Sequence, residues 1–282
     1  MADASRVRPF EIFEQRIMLS LGPLHANRYC TYNCPFCYVH VDYDSYWSMT
    51  PQQISAWVSR QDPREFDIIY ISGDTDSFAP PREAEAVRLV ELLSQFNVDL
   101  LFTTRAILSD DALSRLVAIS SVLNQSGKSL FGCCSVAQYT LPSLEPRPIA
   151  PPSARIAQLR QFRESGIVSV LAMRPFLPNV PLSDYRTILD EADGVVDVVL
   201  GEHWYADSRG ELEARVVAAA GPFTRDDTQT SSGGMPFDSN EHVWRIYEMP
   251  RSERFVAEEC SRRGIPFFMR SRPAIEWWRG RR

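Results

Sequence analysis

The chain predicts an α/β fold: a partial parallel (β/α)6 TIM-like barrel with a C-terminal helix/strand extension. Two observations carry that expectation. Short β-branched runs alternate with amphipathic stretches about six times between residues 16 and 206. The runs are apolar throughout, as strands covered on both faces must be, and the parallel sheet with helices packed on it is the arrangement that covers them.

The elements follow in order. Residues 16–24 (RIMLSLGPL) read as the first strand, leading into a cysteine-rich loop. Residues 50–60 read as a helix, with Thr50 as N-cap and Pro51 at the first helical position. Residues 66–74 (FDIIYISGD) form a buried strand, and 81–96 a helix with Val87, Val90, Leu92 and Leu93 on roughly one side. The strand 98–105 (VDLLFTTR) and the helix 109–123, capped by Ser109 or Asp110, come next. The strand 129–138 (SLFGCCSVAQ) precedes the helix 151–166, which stops at Gly166. Strand 167–178, helix 183–194 and strand 195–206 complete the repeat.

Beyond Ala206 the pattern weakens. Residues 221–241 are polar, with clustered Gly and Ser, and read as a long loop or lid. Residues 250–264 look helical, 265–271 resemble a last strand, and the tail PAIEWWRGRR carries two Trp and three Arg. The expected organisation is a barrel with its N-terminal lead-in over 1–208, a polar lid over 209–240, and an extension over 241–282 that packs on the barrel.

Composition narrows the function. The 282 residues are 44% hydrophobic and 23% charged, so the chain has enough apolar surface to fold into a core. No apolar run is long enough to span a bilayer, and the N-terminus lacks a signal-peptide core, so a cytoplasmic protein without a membrane partner is expected. The net charge of −6 argues against a general nucleic-acid binder. Six cysteines in such a chain point to metal or redox chemistry before disulfides.

The strongest signal is Cys30-Thr-Tyr-Asn-Cys34-Pro-Phe-Cys37, a C-x3-C-x2-C loop directly after the first strand. Three thiolates this close can hold three irons of a cubane cluster and leave the fourth iron open. A zinc knuckle completed by His25 or His40 is the alternative. A non-catalytic zinc-binding protein would follow from it.

The motif, with an aromatic before its last cysteine, resembles the radical S-adenosylmethionine superfamily. The turn Gly73-Asp-Thr-Asp-Ser-Phe-Ala-Pro80, the segment Leu144-Glu-Pro-Arg-Pro and Pro175-Phe-Leu-Pro178 resemble the group related to spore photoproduct lyase. The resemblance covers roughly residues 20–206. It implies a 4Fe-4S cluster on Cys30, Cys34 and Cys37, with the amino and carboxylate groups of S-adenosylmethionine on the open iron. One electron from the cluster would then release a 5′-deoxyadenosyl radical.

The same resemblance distributes the cosubstrate contacts. Phe36 would lie near the adenine, and Tyr38 matches an aromatic that recurs after the motif. Ser72, Gly73, Asp74 and Thr75 stand where the group's second strand ends in the turn that binds the methionine ammonium. Arg105 would hold the carboxylate, and Ser135 would lie near the ribose. Apart from the resemblance, Arg174 ends the fifth strand, faces the same edge and suits an acidic substrate group. His203 and Tyr205, on one face by strand alternation, and Asp76 in the tight turn are the candidate catalytic residues.

The sequence also departs from the group. Spore photoproduct lyases carry a cysteine in the turn after the second strand that returns a hydrogen atom to the substrate radical, and Gly73 and Asp74 stand there instead. Cys133, Cys134 and Cys260 are too scattered for a second cluster. The expected activity is hydrogen abstraction from a small-molecule substrate, with flavodoxin or ferredoxin as electron donor. A nucleic-acid repair lyase is the alternative, with Arg270, Arg272, Arg279, Arg281 and Arg282 contacting phosphates and Trp277 and Trp278 stacking on bases.

Overall fold

The computed structural model describes residues 11–22, 30–40, 49–223, 228–233 and 243–281. His25 and parts of the expected lid, 224–227 and 234–242, lie outside them, as does the side chain of His40.

An eight-stranded sheet organises the chain in the order β1-β2-β3-β4-β5-β6-β7-β11. The strands are β1 (Glu11–Phe13), β2 (Arg16–Leu19), β3 (Ile68–Ile71), β4 (Asp99–Thr104), β5 (Leu130–Ser135), β6 (Val168–Met173), β7 (Val198–Gly201) and β11 (Phe267–Phe268). β1 forms an antiparallel hairpin with β2, and the other seven run parallel in a curled half-barrel. The sixfold repeat expected between residues 16 and 206 is thus extended by a seventh parallel strand, β11, which reaches the sheet from the C-terminal extension and pairs with β7.

Helices α1 (Pro51–Val58), α2 (Glu83–Leu93), α3 (Asp110–Gln125), α4 (Pro152–Glu164) and α5 (Leu182–Ala192) fill the crossovers. Local chemistry starts and stops them. Thr50 accepts the Gln53 N–H at 3.2 Å while the Gln53 side chain accepts the Thr50 N–H at 2.8 Å, a complete capping box. Ser109 caps α3 through the Ala112 N–H. Gly166, at φ 78°, takes the left-handed turn that ends α4.

Alternation along the strands divides the core. Ile17, Ile69, Ile71, Leu100 and Phe102 pack with α1–α5. Their neighbours Met18, Ile68, Tyr70, Leu101 and Phe131 face the inside of the curl. That side is covered by α8 (Ser271–Arg279), whose Ala274 and Ile275 are buried there with Trp277 and Trp278 packed beside them. Arginines of the tail hold the helix in place. Arg279 donates to Asp99 Oδ2 at 2.7 Å and Asp67 Oδ2 at 2.6 Å, and Arg272 donates to Asp67 Oδ1 at 3.0 Å. Both arginines, phosphate contacts only under the alternative lyase reading, thereby bind the N-terminal ends of β3 and β4.

Gly132 on β5 marks a close approach between sheet and helix. A Cβ there would lie 2.6 Å from Phe162 Cδ2 of α4. Gly132→Ala is expected to cost about 1–3 kcal/mol by overpacking, read as a lowered urea midpoint at unchanged slope.

The expected strand over 195–206 is two strands. β7 stops at Gly201, and β8 (Trp204–Ala206) leaves for a separate three-stranded antiparallel sheet with β10 (Trp244–Glu248) and β9 (Gln229–Gly233). A Cβ at Gly201 would meet the Phe176 ring at 2.7 Å and Met269 Sδ at 2.8 Å, so the chain is crowded where it turns. The stretch 209–223 and 228–233, expected as a lid, contains α6 (Glu211–Ala220) and β9. α7 (Pro250–Arg262) then leads into β11. No helix of the described residues is long and apolar enough to cross a membrane.

Candidate active site

The C-terminal ends of the parallel strands open into one cavity beneath the cysteine loop. Cys30, Cys34 and Cys37 line it, together with Phe36, Tyr38, Ser72, Gly73, Asp74, Asp76, Arg105, Ser135, Arg174, His203 and Tyr205. Thr75 is turned away: its hydroxyl lies 2.9 Å from the Ser20 hydroxyl, tying the β3 turn to the end of β2.

The cysteine loop is a compact turn in which the Cys37 N–H donates to the Cys34 carbonyl at 3.1 Å. All three thiols are free of disulfides. Burial pushes them up, Cys30 to about 12, while the Arg105 guanidinium pulls the other way at Cys34 and Cys37. Thiols held this way become ligands when a metal centre displaces their protons. Among the described residues no three His, Cys, Asp or Glu side chains converge on one point as a single ion demands. A cubane does not demand it, because each thiolate takes a different iron. Three unpaired thiols from one loop, opening on one cavity beside a cation, are a donor set that fits such a cluster.

Phe36 is fixed from two sides. Its carbonyl accepts the Trp204 Nε1–H at 3.0 Å, and the Arg105 guanidinium lies 5.6 Å from its ring centroid. Trp204 itself stacks on Tyr247 of β10, with centroids 4.9 Å apart. The small antiparallel sheet thereby braces the cysteine loop. Trp204→Phe keeps the stack but leaves that buried carbonyl without its donor. It is expected to lower stability by about 1–2 kcal/mol in urea denaturation. Tyr38 donates to the Gly73 carbonyl at 3.3 Å, so it links the loop to the β3 turn.

That turn begins under strain. Ser72 has φ 66°, a left-handed conformation uncommon for serine. It is held by its own N–H on the Leu19 carbonyl at 2.8 Å and by the Ser77 N–H on its hydroxyl at 3.0 Å. Asp74 Oδ1 accepts the Thr75 N–H at 2.6 Å, and the residue lines the cavity. Asp76 accepts from the Arg105 N–H at 2.7 Å, from Thr104 Oγ1 at 3.0 Å and from the Phe78 N–H at 3.0 Å. It is a half-buried strut that joins the ends of β3 and β4. Burial raises its pKa, against the pull of these donors.

Arg105 is positioned by Glu145, from the Leu144-Glu-Pro-Arg segment, and by the backbone after β6. Its Nε donates to Glu145 Oε1 at 3.0 Å and its Nη2 to the Arg174 carbonyl at 3.2 Å. Glu145 is also gripped by Arg155, which donates to Oε1 at 2.9 Å and to Oε2 at 2.7 Å. Arg155 in turn reaches the Ser135 carbonyl. Burial works against the Glu145 charge, but the two guanidiniums outweigh it and hold the carboxyl down to about 2. The signal was present in Leu144-Glu-Pro-Arg and in Arg155, yet no spacing rule joins a loop glutamate to an arginine ten residues on.

Across the cavity, Ser135 Oγ lies 3.5 Å from the Arg174 carbonyl. Tyr70, not singled out in the sequence, lies 3.1 Å from the Thr103 hydroxyl and accepts from Arg174 Nη1 at 3.5 Å. His203 follows β7, where the strand alternation expected for it does not run. Its Nδ1 is 3.2 Å from Glu253 Oε1 of α7, and this carboxylate raises its pKa. Tyr205, one residue into β8, still reaches the cavity.

The family model of the radical SAM superfamily matches residues 26–192. Solved structures share the fold. A spore photoproduct lyase with bound AdoMet and dinucleoside spore photoproduct aligns with TM-score 0.67 at 12% identity, over 94% of this chain and 81% of that one. SuiB of Streptococcus suis bound to S-adenosylmethionine gives 0.59 at 13% identity, over 92% of this chain and 51% of its own. The radical S-adenosylmethionine methyltransferase TsrM of Kitasatospora setae, with tryptophan substrate and a SAM analog, gives 0.54 at 12%, over 88% and 52%. The chain therefore spans about half the length of the last two. Comparison with curated protein sequences finds no match.

Proposed function

The chain belongs to the radical SAM superfamily, and on that premise we propose that it cleaves S-adenosylmethionine reductively and abstracts hydrogen from a small-molecule substrate. The observation that carries this reading is the shared cavity: Cys30, Cys34 and Cys37 face the same space as Asp74 and Arg105. When bound, a 4Fe-4S cluster supplies the electron that breaks a carbon–sulfur bond of the cosubstrate and yields a 5′-deoxyadenosyl radical.

The residues of the chain bind and orient. The three cysteines hold the cluster. Asp74 accepts from the methionine ammonium, and the Ser72–Gly73 backbone shapes the turn around it. Arg105 pairs with the methionine carboxylate, kept in place by Glu145. Phe36 and Tyr38 cover the adenine side, and Ser135 lies toward the ribose. His203, paired with Glu253, holds a proton in the cavity that Tyr205 also lines. Asp76 and Thr75 are positioning residues of the β3 turn. The electron donor is a small redox protein such as flavodoxin or ferredoxin.

A second reading, a nucleic-acid lyase, draws on the fold shared with the spore photoproduct lyase structure. Against it, Arg272 and Arg279 of the C-terminal helix are engaged with Asp67 and Asp99. One experiment addresses all readings. Protein reconstituted without oxygen and reduced with dithionite should form 5′-deoxyadenosine from S-adenosylmethionine and show a 4Fe-4S signal by Mössbauer spectroscopy. A colourless protein with one bound zinc and no 5′-deoxyadenosine would refute the proposal. Tight, salt-sensitive binding of photodamaged DNA would move it to the second reading.

A further inference from the structure

Besides the residues assigned above to the cosubstrate, the cavity is lined by Arg16 and Arg270, both paired with Glu14, and by two opposite charges that have no such partner. Arg174 follows β6 and Glu202 follows β7, adjacent strands of the sheet, and both side chains line the cavity. The Phe176 N–H donates to the Glu202 carbonyl at 2.9 Å, which locks the two strand ends together.

Arg174 is 9% exposed. Its Nε donates to the Gly201 carbonyl at 3.2 Å and its Nη1 to the Tyr70 hydroxyl at 3.5 Å, both neutral acceptors. Its Nη2 has no partner among the described residues. The half-buried Glu202 carboxylate accepts no hydrogen bond from the described residues, and no ion pair joins it to Arg174. Burial opposes the Arg174 charge, and the nearby Glu202 is foremost among the groups that sustain it. Charges in a protein interior are costly until hydrogen-bonded and paired. Here each keeps its open side toward the ligand space.

A ligand with one charge satisfies only one of them. A phosphate or lone carboxylate on Arg174 would face Glu202 as a like charge, and an amine on Glu202 would face Arg174. A group with an anion and a cation a few bonds apart satisfies both. The planar guanidinium suits a carboxylate, which it can take with parallel hydrogen bonds. The acceptor-only Glu202 suits an ammonium. We propose that Arg174 and Glu202 form the head-group site for the substrate, a small zwitterion of the α-amino-acid class, with its carboxylate on Arg174 and its ammonium on Glu202. The inference rests on the reading above for the identity of the cavity as a substrate chamber.

The test is calorimetric titration of the anaerobically reconstituted protein, saturated with S-adenosylmethionine so that the cosubstrate's own amino-acid contacts are filled. The probes are the free L-amino acids, their N-acetyl derivatives and their carboxamides. Some free amino acids should bind, and blocking either end should weaken them about tenfold or more, as expected for a lost charge-assisted bond. Glu202→Gln should weaken a free amino acid much more than its N-acetyl form, a selectivity that general misfolding cannot produce. Equal affinity for free and blocked forms overturns the inference, as does absence of binding by every free amino acid. Formation of 5′-deoxyadenosine in the same preparation reads the proposed function separately. Its presence with no amino-acid binding sinks only the head-group site, whereas its absence sinks the reaction itself.

Discussion

Replacing Cys34 by alanine should remove the iron–sulfur absorption and 5′-deoxyadenosine formation together, with turnover falling below detection. Cys34 is the middle cysteine of the loop, buried, and its carbonyl accepts the Cys37 N–H at 3.1 Å. Alanine keeps that backbone turn, so the scaffold should survive. What disappears is one of only three thiolates on the cavity, and the remaining two cannot secure a cubane whose fourth iron must stay open to the cosubstrate. Iron content and Mössbauer spectra check the first half, and chromatography of the nucleoside product the second. A variant that retained a full cluster and turnover would place the metal elsewhere. Cys260→Ala is the control: it lies on α7 outside the cavity and should leave the iron content unchanged.

Glu145→Ala should cost about 3–5 kcal/mol of stability, the range for breaking a buried charge pair by removing one partner. The carboxylate is 5% exposed and serves two guanidiniums, one of which, Arg155, is fully buried. Removing it leaves that cation without its ion pair and frees Arg105 to swing. The double variant Glu145→Leu with Arg155→Met separates the two effects. An apolar pair can replace a buried ion pair at little cost, so its urea midpoint should recover. Affinity for S-adenosylmethionine should not, because Arg105 remains unsupported. If both recover, Glu145 has no part in aiming Arg105.

The same carboxylate gives the protein an acid limit. Its pKa falls from 4.5 unfolded to about 2 in the folded protein, so it binds a proton more readily when unfolded. Its contribution is complete above pH 4.5 and drains away as the pH falls toward 2. Thermal melts of the wild type should therefore decline across that window more steeply than those of Glu145→Gln, in which the group no longer titrates. Parallel slopes would remove Glu145 from the account of acid stability.

Much of the scaffold was readable because its causes are local. Thr50 with Gln53 and Ser109 with Ala112 are caps within four residues, and they start their helices where the sequence placed them. The buried strands were readable from their composition, since a strand covered on both faces has nowhere to put a polar side chain. The cysteine loop was readable because its spacing alone brings three thiols together. Other features depend on distant partners. The strand expected over 195–206 breaks because Gly201 turns against Phe176 and Met269, residues from elsewhere in the chain. Thr75 was grouped with the cavity, but Ser20, fifty-five positions away, turns it aside.

The clearest contrast is the C-terminus. Its tryptophans and arginines look the same in sequence whether they meet a nucleic acid or the protein's own sheet. In the described residues they meet the sheet: α8 covers the inside of the curl, and Arg279 finds Asp67 and Asp99, 212 and 180 residues earlier. The amino-acid order alone determined the parallel scaffold and the three-cysteine loop after its first parallel strand, because periodicity and short spacing are enough for each. Only the tertiary structure decided which side chains grip Arg105, which arginines are already occupied, and that Arg174 and Glu202 confront the same space. Those outcomes hinge on charge pairing and packing between segments far apart in the chain, where no local pattern carries the information.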